Sequence, residues 1–258
     1  MDLARIHPEP AVVSVADAAA ALRREAAPPG DRPYLALNFA STADGRITIG
    51  GRSGPIGNEA DRELFHELRG QVDAVMAGAR TVSDERYGRL IPDPDRRERR
   101  RGAGLAPDPL AVVVSARLTI DPDIPLLQDP DSRVVIVTGS DRELDGVRAR
   151  VEYLRPPAAT DEHAHGAPKL ALGPPLAALR ERHGVELVLC EGGSVLAGAL
   201  LRERLVDELF LSLAPKLAAG AGPTIVTSPP LDPPVDLELL TAHESGGHLF
   251  LRYRVAAS

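Results

Sequence analysis

The stretch Val188-Leu189-Cys190-Glu191-Gly192-Gly193-Ser194-Val195-Leu196 constrains this chain most. An apolar run ends in an acid and two glycines, and a helical pattern over Ser194–Arg204 follows at once. A strand that feeds a glycine turn at a helix N-terminus is a ready anion site. Glycines let the backbone approach closely, and the first-turn N–H groups have no partner within the helix. Such a turn suits the pyrophosphate of a dinucleotide, so the chain is expected to handle a nucleotide cofactor.

The 258 residues suffice for one large domain or two small ones, and 43% hydrophobic residues suffice for a core. A net charge of −7 argues against general nucleic-acid binding, and 3% aromatic residues with no Trp leave little for bases to stack on. Cys190 is the single cysteine, so no internal disulfide forms and a reducing, cytoplasmic setting is expected. It closes an apolar run and reads as a small buried hydrophobe rather than a nucleophile. No run reaches the roughly 18 apolar residues of a membrane span. Met1–Pro10 shows no basic region followed by an apolar one, so neither a signal peptide nor a membrane partner is expected.

Along the chain, Ser14–Ala27 reads as an Ala-rich helix capped by Ser14, and Tyr34–Ala40 as the first strand. Ser41–Gly57 reads as a long loop. Asn58 caps a helix that runs to Arg69, with acids in its first turn to suit the dipole. A strand is expected at Val72–Ala77, and a turn or helix from Gly78 to Val82. Glu85–Pro109 reads as a long polar connection. Its basic run Arg96–Arg101 is a solvated loop on the plain reading and a polyanion contact on the other. Further strands are expected at Leu110–Val114, Arg133–Val137, Val151–Leu154 and Glu186–Cys190, with a helix at Leu176–His183. Asp207–Ala214 alternates as a strand. Glu238–Ala242 and His248–Val255 form an antiparallel pair about Gly246-Gly247. Pro156–Pro168, with His163 and His165, reads as a loop. The pattern is α/β: a mostly parallel sheet with an antiparallel edge.

Several chemistries lack their signatures. No G-x-G-x-x-G follows the first strand, there is no Walker lysine or G-x-S-x-G, and no Cys/His cluster has zinc spacing, so no metal is expected. Other features cohere in order: Ala40-Ser41-Thr42-Ala43-Asp44-Gly45-Arg46; Leu68-Arg69; Asp73-Ala74-Val75-Met76-Ala77-Gly78-Ala79-Arg80-Thr81-Val82; Glu191-Gly192-Gly193; and Val206–Pro215. In these residues the chain resembles the reductase domain of riboflavin biosynthesis enzymes, in a stand-alone form, from about Tyr34 to Val255. The resemblance implies a dihydrofolate-reductase-like fold with a twisted, mostly parallel sheet, an antiparallel C-terminal edge and helices on both faces. Residues 31–258 would form the reductase domain, and 1–30 an extension with a short helix.

The family reduces the ribose of a phosphorylated ribosylaminopyrimidine to a ribityl chain with NADPH. By resemblance, Ala40, Arg80, Thr81, Glu85 and Ser115 fall on the cofactor, and Gly192, Gly193, Ser194, Val195 and Leu196 cradle its pyrophosphate. Ser53, Asp61, Arg69, Arg89 and Glu191 fall on the substrate, with Arg69 and Arg89 toward its phosphate. Asp44 and Glu191 are the candidate catalytic residues; Asp44, Glu85 or a water would supply the proton. Plain alternatives stand beside these. Thr81 and Asp44 are turn residues, Arg69 a helix-dipole partner, Asp61 an acid in a first helical turn, and Glu191 a structural charge. The chain departs from the family pattern at Arg80, where a glycine is usual, and at Arg86, where a second acid is usual. Relatives also suggest a homodimer through the C-terminal strands. The competing functions are a dihydrofolate or pterin reductase of the same fold, which Asp61 with Phe65 would serve, and a nucleotide-binding protein without catalysis.

Overall fold

A computed structural model describes residues 1–157 and 170–256; His163 and His165 lie outside the described residues. The strands are β1 (Asp2–His7), β2 (Ala11–Ser14), β3 (Tyr34–Thr42), β4 (Ala74–Gly78), β5 (Leu110–Val114), β6 (Arg133–Val137), β7 (Arg150–Leu154), β8 (Leu187–Cys190), β9 (Glu208–Ala214), β10 (Leu237–Ser245) and β11 (His248–Val255). The helices are α1 (Val15–Glu25), α2 (Glu59–Gln71), α3 (Ala79–Asp84), α4 (Pro94–Gly102), α5 (Pro125–Gln128), α6 (Gly173–His183) and α7 (Ser194–Arg202). The chain divides into two compact units. One comprises Met1–Ala27, Tyr34–Gln71 and Leu189–Ser258; the other comprises Pro28–Pro33 and Val72–Val188.

In the first unit the strands run β2-β1-β10-β11-β9-β3. Only β3 and β9 pair in parallel, with Ala40 opposite Ser212; the other pairs are antiparallel. β3 is buried along nearly its whole length, as its continuous apolar sequence requires. Ser14 caps α1 by accepting from the Asp17 amide at 3.0 Å. Val15, Ala19 and Leu22 form the buried stripe of α1, at i, i+4 and i+7. α1 packs on α2, where Arg23 donates to the carbonyl of Gln71 at 2.7 Å. The end of α1 is also tied to the sheet. Arg252 donates to both oxygens of buried Glu208, at 2.9 and 2.7 Å, and to Glu25 at 2.6 Å.

The second unit orders its strands β4-β5-β6-β7, all parallel and rich in Val and Ile. The Asp73 carboxylate, just before β4, accepts the amides of Glu186 and Leu187 at 3.0 and 2.9 Å. β8 carries the chain from this unit back into the first. Met76, Val112, Ile136, Leu127, Leu176 and Leu179 are among the core residues of the second unit.

The α/β reading, with parallel strands and an antiparallel C-terminal edge, holds. Three local expectations are corrected. Asp2–Ser14 contains two strands where no element was expected; β1 pairs with β10 through Ala4 and Glu244. β3 continues to Thr42, so the following loop starts two residues late. The polar connection Glu85–Pro109 contains α4, which carries the basic run. Asp93 caps it, Pro94 sits at its start, and Arg100 turns inward to donate to the carbonyls of Ala106 and Val72 at 2.8 Å each. One arginine of the run is thus a buried cap for backbone groups, which neither reading of the run foresaw.

Candidate active site

The residue after β8 is Glu191, and it is buried. Arg69, in the last turn of α2, donates from Nε and Nη2 to the two carboxylate oxygens of Glu191, both at 2.7 Å. The side chains are 9% and 2% exposed. The ring of Phe65, one turn earlier on α2, lies under the guanidinium, 4.2 Å from centroid to Cζ. The expected phosphate ligand and the expected substrate acid are therefore each other's partner. Arg69 is thus held by a carboxylate of the fold rather than standing as a free cation.

After Glu191 the backbone turns through Gly192 at φ +107°, a region closed to side chains. A Cβ there would stand 3.3 Å from the Phe39 ring. The Gly192–Gly193 peptide is cis. Gly193 then caps α7 without a side-chain bond, so the first-turn amides from Ser194 onward are not used by a capping group. This donor set fits the phosphates of a dinucleotide. Ser194 Oγ accepts from Thr227 Oγ1 at 2.9 Å, and Val195 is exposed at 68%. Cys190, just before the turn, is fully buried, and burial pushes its thiol up to about 12.

Asp44 lies in the turn after β3. It accepts from Thr42 Oγ1 at 2.6 Å and from the amides of Ala218 and Ala219 at 3.0 and 2.7 Å. The Thr42 bond, then the two amides, hold its carboxyl at about 2. Asp44 thereby joins the turn after β3 to the loop at Ala218 and Ala219. Arg46 and Ile47 continue the clamp, bonding the carbonyls of Gly222 and Pro223 at 2.6 and 3.1 Å.

Asp61 behaves in the opposite way. It sits in the first turn of α2, where Asn58 Oδ1 accepts its amide at 2.9 Å. Burial raises its carboxyl above the ordinary range, only partly offset by the Ser212 hydroxyl and by nearby His248 and Arg62. Ser53 closes a turn by accepting the Ile56 amide at 2.9 Å. The Ile56 carbonyl accepts from Lys216 Nζ at 3.0 Å. Ser212, His248 and Lys216 were missed in the sequence. Lys216 alone left a signal, as one of the chain's two lysines.

The second unit holds the other expected cofactor residues. Arg80, on α3, is 94% exposed and pairs with Asp84 at 3.3 Å. The Thr81 carbonyl accepts the amide of Glu85, the residue that ends α3. Ser115 is buried, and its Oγ accepts the Thr119 amide at 2.9 Å, which closes a turn. Arg89 donates to Asp129 at 2.9 Å and Asp131 at 2.8 Å, which raises its pKa and keeps it a cation paired with two carboxylates. The guanidinium expected to face a phosphate is held by these two acids. Among the described residues no group of His, Cys, Asp or Glu is arranged to hold a metal ion.

The RibD C-terminal domain family matches residues 33–251. The chain belongs to this family. A relative named 2,5-diamino-6-ribosylamino-4(3H)-pyrimidinone 5′-phosphate reductase, from Methanothermobacter thermautotrophicus, is 32% identical over 87% of this chain and 99% of its own length. A relative of the same name from Archaeoglobus fulgidus is 30% identical over 75% of this chain and 86% of its own. The fold is shared with a pyrimidine reductase-like protein of Corynebacterium diphtheriae. Its crystal structure superposes with a TM-score of 0.72 over 93% of this chain and 99% of that one, at 22% identity. Membership makes the chain an oxidoreductase of the riboflavin-pathway type, and a dihydrofolate or pterin reductase is not favoured.

Proposed function

We propose that the protein reduces the ribose of a 5′-phosphorylated ribosylaminopyrimidine to a ribityl chain, with NADPH as reductant. The observation that carries this reading is the join of the Gly192–Gly193 turn to the buried Arg69–Glu191 pair. An anion cradle and a fixed acid sit on adjacent residues, inside a family whose relatives bear that reductase name.

Bound NADPH supplies the hydride. The chain supplies binding and orientation. Gly193–Leu196 offer backbone amides to the pyrophosphate, and Gly192 lets the backbone approach. Ala40, Thr81, Glu85 and the exposed Arg80 are the further residues assigned to the cofactor. Glu191, held in place by Arg69, stands on the substrate side at the edge of the cradle, and Asp61 and Ser53 complete that side. Asp61, whose carboxyl is raised by burial, is the better holder of a proton; Asp44 keeps the loops joined. The catalytic part is assigned to residues 31–258, with 1–30 as an extension. The cytoplasm is the proposed setting.

The test is loss of NADPH absorbance with the diaminopyrimidinone phosphate, the aminouracil phosphate and dihydrofolate in parallel. Turnover of either pyrimidine supports the reading, and turnover of dihydrofolate alone overturns it. We also propose a homodimer formed through the antiparallel strands, supported by exposed Ile6, Val12, Leu237 and Leu239 on β1, β2 and β10. A monomeric mass by light scattering at micromolar concentration would remove it.

A further inference from the structure

The amide of Asn58 has a single orientation. Its Oδ1 accepts the Asp61 amide at 2.9 Å, so its NH2 group faces the Ser245 carbonyl at 3.0 Å and Nδ1 of His248 at 3.2 Å. An NH2 group only donates, so Nδ1 must accept. The ring proton then lies on Nε2, 3.3 Å from the Ile56 carbonyl, which accepts it. The other tautomer would serve the Gly246 carbonyl at 3.4 Å. It would also set N–H against N–H at Asn58 and a lone pair against the carbonyl at Ile56. A doubly protonated ring meets the same conflict at Asn58. His248 is buried, and its ring lies nearly parallel to that of Phe250 with centroids 6.5 Å apart.

We propose that His248 is a positioning residue for the substrate-facing segment Ser53–Asp61. As a neutral imidazole protonated on Nε2, it holds the Ile56 carbonyl with one nitrogen and the Asn58 cap with the other. This rests on the reading that Ser53 and Asp61 meet the substrate. Gly57, between the two anchors, has no room for a side chain, because a Cβ there would fall on the Asp61 carboxylate. The segment is thus fixed from both sides, and Asp61 with it.

Asp61 faces this ring from α2, with Arg62 beside Asp61. Lys216, after β9, shares the Ile56 carbonyl.

Three measurements test this on the full chain. Long-range 15N–1H spectra of histidine-labelled wild type should show His248 as the neutral Nε2–H form; an Nδ1–H form overturns the proposal whether or not the enzyme turns over. His248→Phe should raise KM for the pyrimidine about tenfold with the NADPH Kd within about twofold. His248→Gln, which can donate to Ile56 and accept from Asn58, should keep KM within about twofold of wild type. If His248→Phe fails to fold, the tautomer read in wild type and the KM of His248→Gln decide. Unchanged KM in His248→Phe, or a KM raised as far in His248→Gln as in His248→Phe, overturns the proposal. A wild type inactive on every pyrimidine overturns the function instead.

Discussion

Arg69 and Glu191 meet through two parallel hydrogen bonds of 2.7 Å although 122 residues separate them in the chain. One stands at the end of α2 and the other follows β8, and both side chains are buried. Removing one partner leaves an unpaired charge in a poorly solvated place, which costs about 3–5 kcal/mol. Glu191→Ala should lose about that much stability in denaturant unfolding, as well as substrate turnover. Arg69→Lys keeps the charge but not the fork, so it should fall between wild type and Glu191→Ala. Wild-type stability in Glu191→Ala would show that the pair is dispensable.

Gly192 gives a second expectation. Its φ of +107° is closed to an L side chain, and an added Cβ meets the Phe39 ring at 3.3 Å. Gly192→Ala should cost about 1–3 kcal/mol of backbone strain. Because the strain falls on the turn that offers the phosphate-binding amides, NADPH affinity should fall as well. Fluorescence titration with NADPH checks this, and an unaltered Kd would separate the turn from the cofactor.

Asp44 and Asp61 should titrate on opposite sides of an ordinary aspartate, near 3.9. Asp44 is depressed to about 2. Its contribution to stability is fully present above the unfolded value and is lost as pH falls through about 2. Asp61 is raised by burial. The folded state then binds its proton more tightly than the unfolded one, so stability falls as pH rises from the unfolded value through the folded one. Asp61→Asn should flatten that fall and gain stability at neutral pH relative to acid. Asp44→Asn should weaken the loop clamp at neutral pH and leave the difference from wild type smallest in strong acid. Carboxyl 13C titration by NMR reads both groups directly; a common midpoint for the two would defeat the assignment.

What the sequence shows and hides follows from the range of the forces involved. β3, α2, β4, β8 and α7 were legible because apolar period, caps and glycines act within one element. β1 and β2 were not. Of Asp2–His7 only Leu3 is buried, so the edge strand has no repeating apolar face to read. α4 was hidden because its buried side chain is an arginine, Arg100, whose burial depends on carbonyls of Ala106 and Val72. The glycine turn was legible as a cradle. The pairing of Arg69 with Glu191, of Arg89 with Asp129, and of His248 with Asn58 was not, because nothing local records which distant group a charge will meet. The partners of Asp44 were hidden in the same way. Its three donors include two amides more than 170 residues away.

Cys190 provides the last test, and it separates burial from reactivity. It lies one residue before Glu191, in the same strand end as the proposed site, and a nucleophilic thiol there would be a rival for catalysis. Thiol chemistry needs the thiolate. Burial pushes this thiol up to about 12; the backbone bond from Gly192 offsets part of that push, and the Glu191 charge adds a smaller one. At pH 8 the thiolate fraction is then on the order of one in ten thousand, in a side chain that reagents do not reach. Native protein should therefore react with an aromatic disulfide reagent at well under a tenth of the rate seen after unfolding. The unfolded chain should release one equivalent, from its single cysteine. Cys190→Ala should keep kcat and lose only packing stability, about 1 kcal/mol or somewhat more for the small cavity left. Fast native labelling, or a large loss of kcat in Cys190→Ala, would place the thiol in the chemistry and return the Gly192 turn to a generic anion site.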